Sequence, residues 1–200
     1  SQDAQAIMRE LNTLKMPIIA AIDGNCFSVG LELALACDYR IASNESHTLF
    51  SMPQVRSGLL PFAGGTQRLP RLIGLRSALP LMLFGEKITA ETAKGLGLVD
   101  QLVPKARLLT GAYQLLLEKK IPKANHKQPL TLFKKWRKQL EGNPFLRNKF
   151  LERSENSIWL KTFGNYPATA KLIELLKEPH FKQGLALEQQ AFVELFNRNR

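Results

Sequence analysis

The 200-residue chain is 44% hydrophobic with a formal net charge of +11, a globular composition long enough for one domain with an appendage to bury a sizeable core. No apolar run reaches the roughly 18 residues that a membrane-spanning helix needs, and the opening SQDAQAIMRELNTL lacks the apolar centre of a signal peptide. Cys26 and Cys37 show neither CxxC spacing nor a His-rich neighbourhood, so they read as buried free thiols in a reducing compartment rather than a disulfide or a metal site.

In chain order, Ala4, Ile7, Met8, Leu11 and Leu14 recur at helical spacing over residues 1–15, and Pro17 marks the exit. PIIAAID is short, apolar and β-branched, which predicts a buried strand ending at Gly24. A small-residue turn and a helix follow. YRIAS and HTLF read as short strands, and SMPQVRSGLLPFAGGTQRLPRLIG, punctuated by Gly58, Pro61, Gly64 and Gly65, reads as a long connection. SALPLMLFG and TAETAKGLG predict two helices and LVDQLVP a short strand. From Pro104 the pattern is helical, with breaks near Pro122, Pro129, Gly142, Pro144, Gly164, Pro167 and Pro179. There is no internal repeat and no low-complexity tract.

The positive charge is concentrated in one place. Residues 1–104 hold nine basic and nine acidic side chains, 105–161 hold fourteen and four, and 162–200 hold five and four. The basic segment includes KKIPKANHK and FKKWRKQL, without zinc-finger spacing or a ribonucleoprotein signature. Solvated helix faces are the plain reading; a phosphate-bearing small ligand, an acidic partner surface or, least of all, nucleic acid are the others.

DGNCFSVGLELALACDYR poses the chemical question, because it sets the carboxylate of Glu32 inside the apolar run 31–37, just after a small-residue turn. An ionised group among apolar neighbours is paired, exposed at an edge, or kept for chemistry. A structural role, paired with an arginine such as Arg40, stands beside a catalytic one. Near a helix N-terminus the dipole lowers the pKa of Glu32 and desolvation raises it, and the sequence does not say which wins.

KMPIIAAIDGNCFSVGLELALACDYRIAS, then LFSMPQVRSGLLPFAGGTQRLPRLIG and AKGLGLVDQLVP, closely resemble the crotonase superfamily of enoyl-CoA hydratases and isomerases over residues 1–104. NPFLRNKF, FGNYPATAKLIELL and GLALEQQAFVELF resemble the end of the hydratase domain and the linker helix of the multifunctional α-subunits of fatty-acid β-oxidation. The resemblance implies an α/β fold, a crotonase-type ββα spiral core (1–104, its first strands missing upstream of Ser1) with a C-terminal helical extension (105–200) leading toward a dehydrogenase domain. It implies an acyl-CoA substrate, no metal and no cofactor in this domain, with NAD used by a fused dehydrogenase. It further implies a homo-oligomer or a complex with a thiolase β-subunit, no nucleic acid, no transmembrane segment, and a cytoplasmic or mitochondrial-matrix location.

Within that family two glutamates flank the double bond of an enoyl thioester while backbone N–H groups hold the thioester oxygen as enolate charge develops. Glu32 falls on the first glutamate. Gln54, after Pro53, stands at the second, and an amide has no basic oxygen to take a proton. Ser28, Val29 and Gly30 stand where the family has three glycines, two of them replaced, so the Val29 N–H is the implied oxyanion donor, with a branched side chain expected to restrict the turn and intrude. Pro61 and Phe62 replace a Pro-Gly that helps hold water, and the Phe62 ring is expected to fill the water or acyl pocket. The implied activity is hydration of 2-enoyl-CoA or a shift of its double bond, impaired by these changes. The alternatives are a degenerate acyl-CoA-binding or scaffold domain and a basic helical interaction module.

Overall fold

The computed structural model describes residues 2–118, 143–162 and 167–198. Helix α1 (Gln2–Thr13) precedes strand β1 (Ile19–Ile22), the two-residue β2 (Cys26–Phe27), helix α2 (Val29–Ala36), β3 (Tyr39–Ser43) and β4 (Leu49–Ser51). A 3-10 turn (Pro53–Ser57) leads to α3 (Gly65–Ile73), α4 (Leu75–Leu83), β5 (Ile88–Thr89), α5 (Ala90–Leu96) and β6 (Gln101–Val103). A second 3-10 turn (Lys105–Arg107) opens α6 (Leu108–Glu118), and α7 (Pro144–Thr162), α8 (Pro167–Lys177) and α9 (Phe181–Arg198) complete the described chain.

The strands form two small sheets. In one, β3 lies between β1 and β6, all parallel, with Ile19 opposite Tyr39 and Ile41 opposite Gln101. All five residues of β3 are buried, as a central parallel strand requires. In the other, β4 pairs in parallel with β2 and antiparallel with β5. The parallel crossover from β1 to β3 passes through α2, and this places the N-terminus of α2 at the ends of the strands, where loops converge.

One apolar core runs through both halves of the chain. Leu31, Phe50, Met52, Leu69, Ile73 and Leu98 share it with Leu151, Leu172, Ile173, Leu176, Ala191 and Leu195 of α7, α8 and α9. A smaller cluster joins Met8 of α1 to Ala36 and Ala63, with Ala4, Leu11 and Phe62 at its edge.

The structure departs from the sequence reading at several points. The long connection contains a helix, α3, which Pro70 and the preceding glycines disguised; the missing Pro70 N–H removes one bond of the ladder without ending it. β2 and β5, two residues each, are too short to leave a period. On α1 the inward side chains are Gln5 and Met8, whereas Ile7, and Leu14 just beyond the helix end at Thr13, are exposed. Cys26 and Cys37 are free thiols, but only Cys26 is buried, and burial pushes its thiol up to about 12. Pro144 and Pro167 are the first residues of their helices, a position that needs no N–H. Pro179 falls in the break between α8 and α9. The breaks expected near Pro122, Pro129, Gly142 and Gly164 lie outside the described residues.

Candidate active site

Glu32 sits in the first turn of α2 and has no solvent exposure. Its carboxylate crosses to the loop ahead of α3. Oε1 accepts from the N–H groups of Ala63 and Gly65, both at 2.8 Å, and Oε2 from Phe62 N–H at 3.5 Å and Gln54 Nε2 at 3.3 Å. Gly65 is the first residue of α3, so the helix end that receives this carboxylate belongs to α3 and not to its own helix. Desolvation wins the contest left open by the sequence. Burial holds Glu32 above the usual carboxylate range, against the lowering effect of the Ala63, Gly65 and Phe62 N–H bonds and of Arg68.

Arg40 does not pair with Glu32. Its guanidinium donates to the carbonyls of Leu98 (2.7 Å), Ala34 (3.2 Å) and Cys37 (2.9 Å) and meets Asp100 at 3.3 Å. It therefore satisfies carbonyls at the C-terminal end of α2, as a cation there should.

A second buried carboxylate faces the same loop from the other side. Glu188 of α9, also without solvent exposure, accepts from Gly64 N–H at 2.6 Å, Thr66 N–H at 3.1 Å, Thr66 Oγ1 at 2.5 Å and Gln5 Nε2 at 2.9 Å. Successive N–H groups thus alternate: 63 and 65 go to Glu32, 64 and 66 to Glu188. Gly64 has φ +97°, a left-handed conformation that suits glycine, and it lets the chain reverse between the two acceptors. Burial, followed by the charge of Glu32, raises Glu188 to about 7. The Arg68 guanidinium offsets both charges in part and donates to the Ala63 carbonyl at 2.7 Å. The sequence reading passed over Glu188, although it lies on a buried helical stripe with Gly184, Leu185, Ala191 and Leu195.

The other expected site residues lie around this centre. The Gln54 side chain is buried in the 3-10 turn after β4; its amide donates to Glu32 while its carbonyl Oε1 is buried without a hydrogen-bond partner among the described residues. Val29 is the first residue of α2, so its N–H stands ahead of a ladder whose first bond runs from Glu32 N–H to the Ser28 carbonyl at 3.0 Å. The Val29 side chain is 42% exposed and does not intrude on the turn. The unusual backbone lies one residue earlier, at Ser28, with φ 50° and ψ −122°. Pro61 is buried. The Phe62 ring packs against Phe192 of α9, centroids 4.8 Å apart, in the small cluster with Met8 and Ala36, while its N–H points toward Glu32.

The enoyl-CoA hydratase/isomerase family model matches residues 1–153. The chain is 42% identical over 195 residues to the fatty acid oxidation complex subunit alpha of Shewanella amazonensis, covering 96% of this chain and 27% of that protein. It is 43% identical over 202 residues to the same-named protein of Vibrio vulnificus, covering 100% of this chain and 28% of that one. The chain thus spans little more than a quarter of the length of the curated relatives it matches. Among solved structures it resembles a monofunctional enoyl CoA isomerase from M. smegmatis (33% identity, TM-score 0.53, 60% of this chain and 56% of that chain). It also resembles an enoyl-CoA hydratase from Bacillus anthracis (26% identity, TM-score 0.56, 100% of this chain and 66% of that chain). With Glu32 buried at the N-terminus of α2 and the family match covering three quarters of its residues, the chain belongs to the enoyl-CoA hydratase/isomerase family and has its crotonase fold.

Proposed function

We propose that this chain is the enoyl-CoA hydratase/isomerase unit of a fatty-acid oxidation protein, acting on acyl-CoA thioesters with Glu32 as its one acid–base carboxylate. The observation that carries this is the setting of Glu32: a fully buried carboxyl whose proton affinity is raised by burial and whose oxygens are aimed by backbone N–H groups. The Val29 N–H, at the exposed start of α2, is the donor for the thioester oxygen.

Gln54 shapes the chemistry. In hydration, the oxygen of water bonds to Cβ and a proton reaches Cα; with an amide at 54, Glu32 must accept the proton of water and deliver one to carbon. Gln54 Oε1, buried and unpartnered among the described residues, is the acceptor that orients the water. A double-bond shift asks less, because one carboxyl that removes a proton from one carbon and returns it to another completes the cycle. Isomerisation is therefore the activity that the present residues favour, and hydration the impaired one.

A second reading, a degenerate acyl-CoA-binding or scaffold unit, is favoured by the complete burial of Glu32. The basic interaction module would rest on Lys134, Lys135 and Lys138, which lie outside the described residues. A fused NAD-dependent dehydrogenase, a thiolase β-subunit as partner and a cytoplasmic location remain proposals; no helix among the described residues is long and apolar enough to cross a membrane.

The test assays crotonoyl-CoA hydration and 3-enoyl-CoA isomerisation by the intact native chain, with Gln54→Glu and Glu32→Gln beside it. Glu32→Gln is expected to remove both activities by about 10²–10⁴-fold, and Gln54→Glu to raise hydration by at least about tenfold. A chain inactive in both assays whose Gln54→Glu variant stays inactive belongs to the scaffold reading.

A further inference from the structure

Resting on Glu32 as the acid–base group, we propose that Glu188 is a positioning residue: it pins the 62–66 loop from behind, through Gly64 and Thr66, so that the Ala63 and Gly65 N–H groups stay aimed at Glu32.

The geometry is that of one backbone strip clasped between two carboxylates. Each of the N–H groups of residues 63 to 66 has a carboxylate partner, and the partners alternate without a gap. A peptide plane cannot rotate toward one acceptor without leaving the other, so the strip has one arrangement while both acceptors are present. Remove Glu188, and Gly64 and Thr66 are left as buried donors whose simplest remedy is a rotation that takes Ala63 and Gly65 off Glu32. Gly64, at φ +97°, is the residue most able to make that rotation.

Glu188 is itself constrained from two sides. Gln5 of α1 donates to its Oε1, and to the Leu185 carbonyl at 3.1 Å, tying α1 to α9; Thr66 of α3 grips Oε2 with both N–H and hydroxyl. The charged groups facing it are Glu32 on α2 and Arg68 on α3. If holding α9 against α3 were the whole requirement, an apolar side chain would serve at lower desolvation cost. A carboxylate there adds what an apolar residue lacks: acceptors for the Gly64 and Thr66 N–H groups of the loop.

The experiment uses the full native chain with its fused regions. Glu188→Gln, Glu188→Asp and Thr66→Val are compared for turnover as a function of pH, and glutamate labelled with ¹³C at the carboxyl follows the titration of Glu32 by NMR. Glu188→Gln is expected to lower kcat by about 10²-fold with KM within about twofold, as a misplaced reacting group does. It should also move the Glu32 titration up, because the Ala63 and Gly65 N–H bonds that lower it are lost. Thr66→Val removes only the hydroxyl grip and should lower kcat by about tenfold or less, in the same direction; Glu188→Asp should recover part of the loss. The proposal is overturned if Glu188→Gln folds and leaves both kcat and the Glu32 titration unchanged, or if it does not fold and Thr66→Val leaves both unchanged. The NMR arm needs no turnover: an inactive native chain would sink the proposed function, while a Glu32 titration that still answers to Glu188 would keep the coupling.

Discussion

Two short turns lead into helices at this site, 27–30 before α2 and 61–65 before α3, and they use their N–H groups in opposite ways. The second turn is closed on the protein itself. Its N–H groups end on Glu32 and Glu188, and a Cβ built at Gly65 would lie 2.8 Å from Glu32 Oε1 and 2.9 Å from Met52 Cε, leaving no room for a side chain. The first turn faces outward. Val29 is exposed over some two-fifths of its surface, and a Cβ at Gly30 would have nothing within 4 Å. The closed turn fixes the carboxylate proposed as the acid–base group; the open one leaves the Val29 N–H proposed as donor to the thioester oxygen.

The largest effect that would break this contrast is expected at Gly65. Gly65→Ala forces Glu32 or the loop aside, and should lower turnover by about 10²-fold and stability by about 1–3 kcal/mol, read by steady-state assay and by denaturant unfolding of the intact protein. A well-tolerated alanine would mean that the closed turn has slack.

A pH effect of intermediate size sharpens the comparison, since only the closed turn carries buried carboxyls. Glu188 is raised from 4.5 to about 7 in the folded chain, so over that interval the native state keeps a proton that the unfolded chain releases. The stability contributed by that proton is complete below about 4.5 and is lost as pH rises through about 7. The melting temperature should therefore fall across this window, and Glu188→Gln should flatten the fall. A melting temperature that rises across the window would contradict the sign.

The smallest effect is expected in the open turn. Ser28 occupies a positive-φ conformation that glycine adopts without strain. Ser28→Gly should raise stability by about 1 kcal/mol, visible as a higher denaturation midpoint at unchanged slope. No gain would place the strain elsewhere.

How far the sequence reveals this site differs between its two carboxylates for a physical reason. Glu32 is legible because its apolar neighbours are contiguous, residues 31–37, and a lone charge in such a run demands explanation. Glu188 stands in equally apolar surroundings, but they recur at the helical spacing of 184, 188, 191 and 195, diluted by exposed residues between them. Strand β3 is legible from YRIAS because a central parallel strand buries every residue. Helix α3 is hidden because Gly64, Gly65 and Pro70 punctuate it as they would a loop. The strain at Ser28 has no signature in residue type alone: the replaced glycines flag two positions, 28 and 29, and only the backbone shows which of them needs φ above zero.

The reach of α9 back into the early part of the chain also bears on how this unit can be divided. Thr66 and Glu188 are 122 positions apart, and Gln5 and Glu188 are 183 apart, yet each pair is joined by a buried hydrogen bond. A gene fission or truncation that removed the chain from Phe181 onward would strand Gly64, Thr66 and Gln5 as buried donors and open the Phe62 cluster. The smallest exchangeable module therefore runs through Glu188, and what looks by composition like a helical appendage is inseparable from the crotonase core.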